Sequence, residues 1–368
     1  MNNLFKHTML AAAFAAVSAG TTAASAETQM VVVSWGGAYT KSQQLAYHDP
    51  YMAMNPDVKI VNDDSSAEAA AKIRAQAIAG NVSWDLVDVE PDTAIGLCDE
   101  GLLVEFDFNK DFAPAPDGTS ATDDFGKSAL VSPCFVPQIV FSTTFGYRTD
   151  ILKNPPKTIH DVFDLKKFPG KRSLQKSPAG NLEWALIADG VPAEDVYDVL
   201  DTEAGVDRAF AKLDTIKDQV VWWTKGAQPG QLLADGEVVM ASAYNGRLFA
   251  AIEENKQPIG MMWDWQLFLL DGWVVPKGAP NMAEVMKYPR FATDTQRLAD
   301  QAKYISYGPA RASSAPLVGK HAVLGIEMGP HMPTSPDNAK HTILKDVVWW
   351  ADHNDELQQR FEAWVAQS

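Results

Sequence analysis

In its first third the chain alternates repeatedly between short β-branched runs and helical stretches, and this alternation constrains the fold more than any other feature. Val31-Val32-Val33-Ser34 stops at Trp35-Gly36-Gly37, and a helical segment follows from Ala38 to Met54. Val58 to Val61 is a second strand. Glu68 to Ala79 is a helix closed by Gly80-Asn81. Trp84 to Val89 is a third strand, and Thr93 to Glu100 a helix ended by Gly101. Strands separated by helices pair in parallel, because a helix-length crossover returns the chain to the same end of the sheet. The fold class is therefore α/β with a mostly parallel sheet.

A loop rich in Pro, Asp and Gly, Asp107 to Ser132, separates this unit from a second one. The second unit opens with a strand over Gln138 to Tyr147. Strands follow over Arg172 to Leu174, Val220 to Trp223 and Val238 to Ala243, with helices over Leu182 to Ile187, Thr202 to Asp218 and Leu248 to Asn255. Two further strands, Gly260 to Trp265 and Gly272 to Val275, and a terminal helix, Asp355 to Ala366, complete it. A length of 368 residues accommodates two such units. Two α/β units in one chain form a clamshell. In open α/β sheets a ligand sits beyond the carboxyl ends of the strands. That rule selects Trp35-Gly36-Gly37, Asp88-Val89-Glu90, Trp223 and Tyr244-Asn245.

The N-terminus reads as a targeting segment. Lys6 and His7 precede an apolar run, Met9 to Val17, and Ala24-Ser25-Ala26 gives a small-x-small cleavage site before Glu27. The run is far shorter than the ~20 residues of a membrane span. Residues 1–26 are thus expected to be a cleaved export signal, leaving a soluble chain. No cysteine near the cleavage site offers a lipid anchor. An even cysteine count in an exported chain favours one disulfide, Cys98–Cys134, over two separate buried thiols. The net charge of −16, with no basic run, excludes nucleic acid as a partner.

Catalytic patterns are missing. The sequence holds no HExxH, no GxSxG and no Walker phosphate loop, and its scattered histidines match no metal spacing. Asp85, Asp88, Glu90 and Asp92 form an acidic run near a strand end, fit for acid–base work, for binding a cation, or for capping the next helix. Gly36-Gly37 either presents backbone N–H groups to an anion or permits a tight turn. Trp35 either stacks on a ligand or packs. Asp271, in Leu269-Leu270-Asp271-Gly272-Trp273, must be paired if buried.

Several segments together carry a resemblance. They are Val32 to Tyr39, Trp84 to Val89, Leu233-Ala234-Asp235-Gly236-Glu237-Val238, Tyr244-Asn245-Gly246, and Asp271 through Pro276-Lys277-Gly278-Ala279-Pro280-Asn281. With the export signal, their order and spacing resemble the spermidine/putrescine-type periplasmic solute-binding proteins of bacterial ABC transporters. The resemblance implies a monomeric periplasmic protein without cofactor, metal or catalytic residue, which hands a small amine to a membrane permease. It implies two lobes joined by crossing strands, 27–138 plus 272–315 and 139–271 plus 316–368, closing on the ligand.

Binders of this type hold methylene chains between aromatic rings and ammonium groups on carboxylates. Trp35 matches the first aromatic position, Tyr244 a position usually held by Trp, and Asp271 the carboxylate before the crossing strand. The segment after Leu174 departs from the pattern: Ser177 and Gly180 stand where acids are usual, and Glu183 is offset. A second ammonium then depends on Asp88, Glu90 or Glu183. The expected ligand set is Trp35, Gly36, Gly37, Tyr39, Asp88, Glu90, Glu183, Tyr244, Asn245, Arg247 and Asp271. The main reading is a polyamine or related amine. The alternative is a zwitterionic or carboxylated molecule held by the Gly36 and Gly37 amides and Arg247. A secreted hydrolase using Asp88 and Glu90 is the distant third.

Overall fold

Ten strands join in one sheet: β1 (Thr28–Val33), β2 (Val58–Asp63), β3 (Leu86–Val89), β4 (Val136–Arg148), β5 (Arg172–Gln175), β6 (Val220–Trp223), β7 (Met240–Tyr244), β8 (Ile259–Val274), β9 (Gly308–Pro309) and β10 (Thr342–Leu344). They belong to a computed structural model that describes residues 27–367. The expected export signal, 1–26, lies outside the described residues. Among the described residues no helix is long and apolar enough to cross a membrane.

The sheet has two parallel wings. In one, β1 lies between β2 and β3 and is parallel to both. In the other, β5 lies between β7 and β6 and is parallel to both. The long antiparallel pair β4 and β8 connects them. The end of β8 pairs with β3, and β4 pairs with β7. This is the α/β class expected from the alternation, in the two-winged periplasmic-binding-protein arrangement that the resemblance implies.

The sequence predicts a break in β8 that is not there. Leu267 to Leu270 pair with Val140 to Thr143, so one strand runs where two are expected. Pairing along β4 supplies partners for the backbone that the polar Asp271 does not interrupt. The irregularity lies earlier. Residues 263–266 stand opposite Thr144 alone, and Trp265 there has a positive φ of 52°. The terminal helix begins at Val347 rather than Asp355, because the Asp346 side chain accepts a hydrogen bond from the Trp349 N–H (3.0 Å) and caps it.

Each wing has its own core. The pleat sends alternate residues of β1 to opposite faces. Met30 and Val32 pack with Tyr47, Leu86 and Trp273, while Val33 packs with Ile73, Val87 and Leu97. The other wing closes on Phe145, Leu174, Leu182, Trp184 and Phe210, with Trp350 and Phe361 of the terminal helix. Each such buried side chain contributes about 1.5–3 kcal/mol. Cys98 and Cys134 form the expected disulfide, Cα–Cα 6.0 Å. It ties the helix Pro91–Asp99, which follows Glu90, to the chain entering β4.

Candidate functional site

A cleft of about 680 Å³ lies between the wings. One wall is the turn from β1 into the helix Gly37–Gln43. Gly36 and Gly37 both have positive φ, 76° and 59°, which glycine adopts without steric cost. At Gly37 there is a second need for glycine: an added Cβ would lie 2.6 Å from Arg247 Nη1. The Gly36 N–H is already donated to Thr40 Oγ1 (2.9 Å). Of the two amides expected to meet an anion, only that of Gly37, in the first helical turn, lacks an intrahelical acceptor.

Arg247 arrives from the other wing, on the helix Asn245–Phe249 after β7. Its Nη2 donates to the Gly36 carbonyl (3.0 Å), so the side chain spans the cleft. Its Nε is buried without a hydrogen-bond partner. Both glycines and Arg247 line the cavity.

The floor is a carboxyl network. Asp271 Oδ2 accepts from the Trp35 indole N–H (2.6 Å), and its Oδ1 lies 3.0 Å from the Tyr39 hydroxyl. The same hydroxyl is 3.4 Å from Asp88 Oδ1. Asp88 accepts from the amides of Gln43 (2.8 Å) and Gln138 (3.2 Å). Burial raises the pKa of both aspartates, and the charge of Asp88 raises Asp271 further. Both shifts favour the protonated form, Asp271 more strongly, and among the described residues no ion pair reaches either aspartate. Burial first, then Asp271 and Asp88, push the Tyr39 phenol well up, so it stays a donor. Trp35, Tyr39 and Asp271 line the cavity; Asp88 is sealed beneath it.

A second acid pair lies at the end of β3. Glu90 and Asp92 both face the cavity, and each carboxylate lies 3.0 Å from Lys345 Nζ. Glu90 keeps 24% of its side chain exposed, whereas Lys345 keeps 5%. Burial raises the Glu90 pKa, and Lys345 pulls it back only in part.

Aromatic rings fill the space between. Tyr244 lies against Phe141 (ring centroids 5.5 Å), Phe141 against Tyr307 (5.7 Å) and Tyr307 against Tyr39 (6.0 Å). Burial pushes the Tyr244 phenol up; Glu90 adds to the rise and Arg247 opposes it. Tyr244 is therefore within electrostatic reach of both the acidic and the basic side of the cleft. Burial likewise pushes Tyr307 up to about 12, against Arg247.

Two expected residues serve elsewhere. Glu183, considered for a second ammonium, is fully buried and lies outside the cavity lining. It accepts from the Gly180 N–H (2.7 Å), the Trp350 indole (2.9 Å) and the Tyr197 hydroxyl (3.0 Å). It holds the start of the helix Asn181–Ala188 to the terminal helix. Asn245 is also fully buried. It accepts from the Ser142 N–H (3.0 Å) and donates to the Ser306 carbonyl (2.6 Å), stapling the Tyr307 segment to β4. Phe141, Tyr307 and Lys345 are lining or supporting residues that sequence reasoning misses. Phe141 reads only as part of a strand, and Tyr307 and Lys345 fall outside every assigned element. Among the described residues no group of three His, Cys, Asp or Glu is placed to hold a metal.

Comparison with known proteins agrees with this architecture. Residues 46–334 match the bacterial extracellular solute-binding protein family. The chain is 39% identical to a gamma-aminobutyric acid (GABA)-binding protein of Pseudomonas aeruginosa over 345 residues, 94% of this chain and 93% of that one. A solved GABA receptor superposes with a TM-score of 0.78 at 32% identity, covering 92% of this chain and 98% of the other. The spermidine/putrescine-binding protein of Streptococcus pneumoniae superposes with a TM-score of 0.68 over 92% and 99% of the two chains, but at 14% identity it shares the fold alone. The resemblance to the polyamine type thus resolves to a broader kinship: the chain belongs to the bacterial extracellular solute-binding proteins, the substrate-binding components of ABC transporters.

Proposed function

We propose that the cleft binds a zwitterionic ω-amino acid of the GABA class, rather than a polyamine. The observation that carries this reading is the buried, unpartnered Nε of Arg247 at a cleft that also contains an acid pole. A guanidinium edge with a free N–H fits a carboxylate, because its planar donors match two carboxylate oxygens. The lining Lys225 and the Gly37 N–H add positive potential. Glu90, with its neighbour Asp92, takes the ammonium. Trp35, Tyr39, Phe141, Tyr244 and Tyr307 cover the methylenes between. The two GABA-associated relatives support the same assignment.

Asp271 then orients Trp35 and Tyr39 instead of receiving the amine. The hydrolase reading loses its pair, since Asp88 is sealed under the floor while Glu90 is held by Lys345. The lobes take the boundaries 27–138 plus 272–315 and 139–271 plus 316–368. They close by a hinge in β4 and β8, and the chain works in the periplasm after loss of residues 1–26. Ligand favours the closed state only by its preference for it.

The test is calorimetric titration of the mature protein with GABA, longer ω-amino acids, putrescine and spermidine. GABA-class ligands are expected to bind, and Arg247→Ala to weaken them by about 100-fold, the scale of losing one partner of a buried ion pair. Tight binding of putrescine that survives Arg247→Ala returns the assignment to a polyamine.

A further inference from the structure

The C-terminal segment reaches the acid pole from behind. β10 adds in parallel to β8, and the next residue, Lys345, donates its backbone N–H to the Phe268 carbonyl (3.3 Å). Its side chain then turns inward, 3.0 Å from Glu90 Oε2 and 3.0 Å from Asp92 Oδ2. Both acids line the cleft, but Lys345 does not. Burial alone would lower the Lys345 ammonium, yet the two carboxylates more than reverse this and keep it charged. Two negative charges and one positive leave a single net negative charge at this pole. A single charge complements one ammonium. A diamine would bring a second cation to a pole with one uncompensated negative charge, in a cleft whose far side carries Arg247 and Lys225; of the other lining acids, Asp64 accepts from Thr40 and Glu68 is paired with Lys72, both away from this pole.

We propose that Lys345 is a positioning and specificity residue of the binding site: by neutralising one of the Glu90 and Asp92 charges from outside the cleft, it selects ligands with one ammonium over diamines. It also fixes Glu90 from one oxygen, leaving the other for the ligand. This rests on the reading of the cleft as a receptor for an ω-amino acid.

The experiment measures Kd for GABA and for putrescine in the full mature chain and three variants. Lys345→Met unmasks the second acid and is expected to shift the GABA/putrescine preference by about tenfold or more toward putrescine. The shift is largest near pH 8 and fades on acidification, as the unmasked pair takes up a proton. Lys345→Met combined with Asp92→Asn restores the single negative charge and is expected to restore the native preference. Asp92→Asn alone keeps the lysine in place, makes the pole neutral, and is expected to weaken both amines by about tenfold; it serves if Lys345→Met does not fold. An equal loss of both ligands in Lys345→Met, with the preference unchanged, overturns the proposal, because a purely structural strap would act that way. Unchanged affinities in Asp92→Asn also overturn it. If the native protein binds GABA and only these shifts fail, the functional reading stands. If the native protein binds no ω-amino acid, both fall.

Discussion

Two pairs of acids stand near the end of β3, and they escape mutual repulsion by different means. Asp88 and Asp271 share the floor beneath the cleft with indole, phenol and amide partners, and among the described residues no ion pair reaches either. Glu90 and Asp92 share Lys345. Asp88 and Glu90 are neighbours but one in sequence. Asp88 lies inside the strand, opposite Trp273 of β8. Glu90 lies just beyond it, as the extended residue before the helix Pro91–Asp99. A buried acid pair without a cation keeps a proton and acts as a polar strut. An acid pair backed by a cation keeps a net negative charge and is available to a ligand.

The largest expected effect comes from breaking the charged pair on its open side. Glu90→Gln keeps the shape and one hydrogen bond to Lys345 but removes the negative charge facing the ammonium. GABA affinity is expected to fall by about 100-fold by calorimetry, with the melting temperature near native. A loss below about threefold would mean that Glu90 is scaffold like Asp88, and the contrast between the pairs would vanish.

Acidification should move the two pairs in opposite directions. The folded-state pKa values of Asp88 and Asp271 are raised, so the stability they allow is fully present below the ordinary carboxyl value and is lost as pH rises through the raised values. Between about pH 5 and pH 8 this term is expected to cost roughly 1–3 kcal/mol of unfolding free energy on the alkaline side. Ligand affinity runs the other way. Glu90 must be ionised to hold an ammonium, and its raised pKa makes affinity fall as the medium is acidified. Chemical denaturation and titration calorimetry at matched pH values separate the curves. Parallel curves would refute the division of labour.

Much of this arrangement is legible in the sequence. The β-branched runs, the glycine stops and the alternation give the wings, and the strand-end rule finds Trp35, Gly36, Gly37, Glu90 and Tyr244 because those positions follow from topology. What escapes depends on tertiary contact. Asp88 and Glu90 look alike in a linear acidic run, and only the length of β3 separates a sealed side chain from an open one. Glu183 sits in the helix-start pattern of its own segment, but its occupancy depends on Trp350, far along the chain. Lys345 and Tyr307 come from irregular segments whose paths no periodicity encodes. The middle of β8 escapes for a related reason: Leu267 to Leu270 are all apolar although only Leu267 and Leu269 are fully buried, so the run carries no polar alternation that marks a strand.

The smallest expected effect is also the sharpest discriminator. The residue pattern alone leaves Asp271 either a structural pair or an ammonium partner, and the polyamine resemblance favours the second, under which Asp271→Asn should abolish amine binding. The carboxyl network implies otherwise. If Asp88 and Asp271 already share a proton, an asparagine amide supplies the same donor toward Asp88, and its oxygen still accepts from Trp35 or Tyr39. Stability near neutral pH is then expected to change by less than about 1 kcal/mol, the scale of one rearranged hydrogen bond, and GABA affinity by less than about threefold. The pH dependence assigned to the pair should flatten at the same time, since the variant retains only one titrating group there. Asp271→Leu, by contrast, leaves the Trp35 indole without its acceptor, while the Tyr39 hydroxyl keeps Gln138 Oε1 (3.1 Å), and should cost about 1–3 kcal/mol for the one group left unsatisfied. Loss of GABA binding in Asp271→Asn with the fold intact would make Asp271 the ammonium partner, and the roles of the two pairs would have to be exchanged.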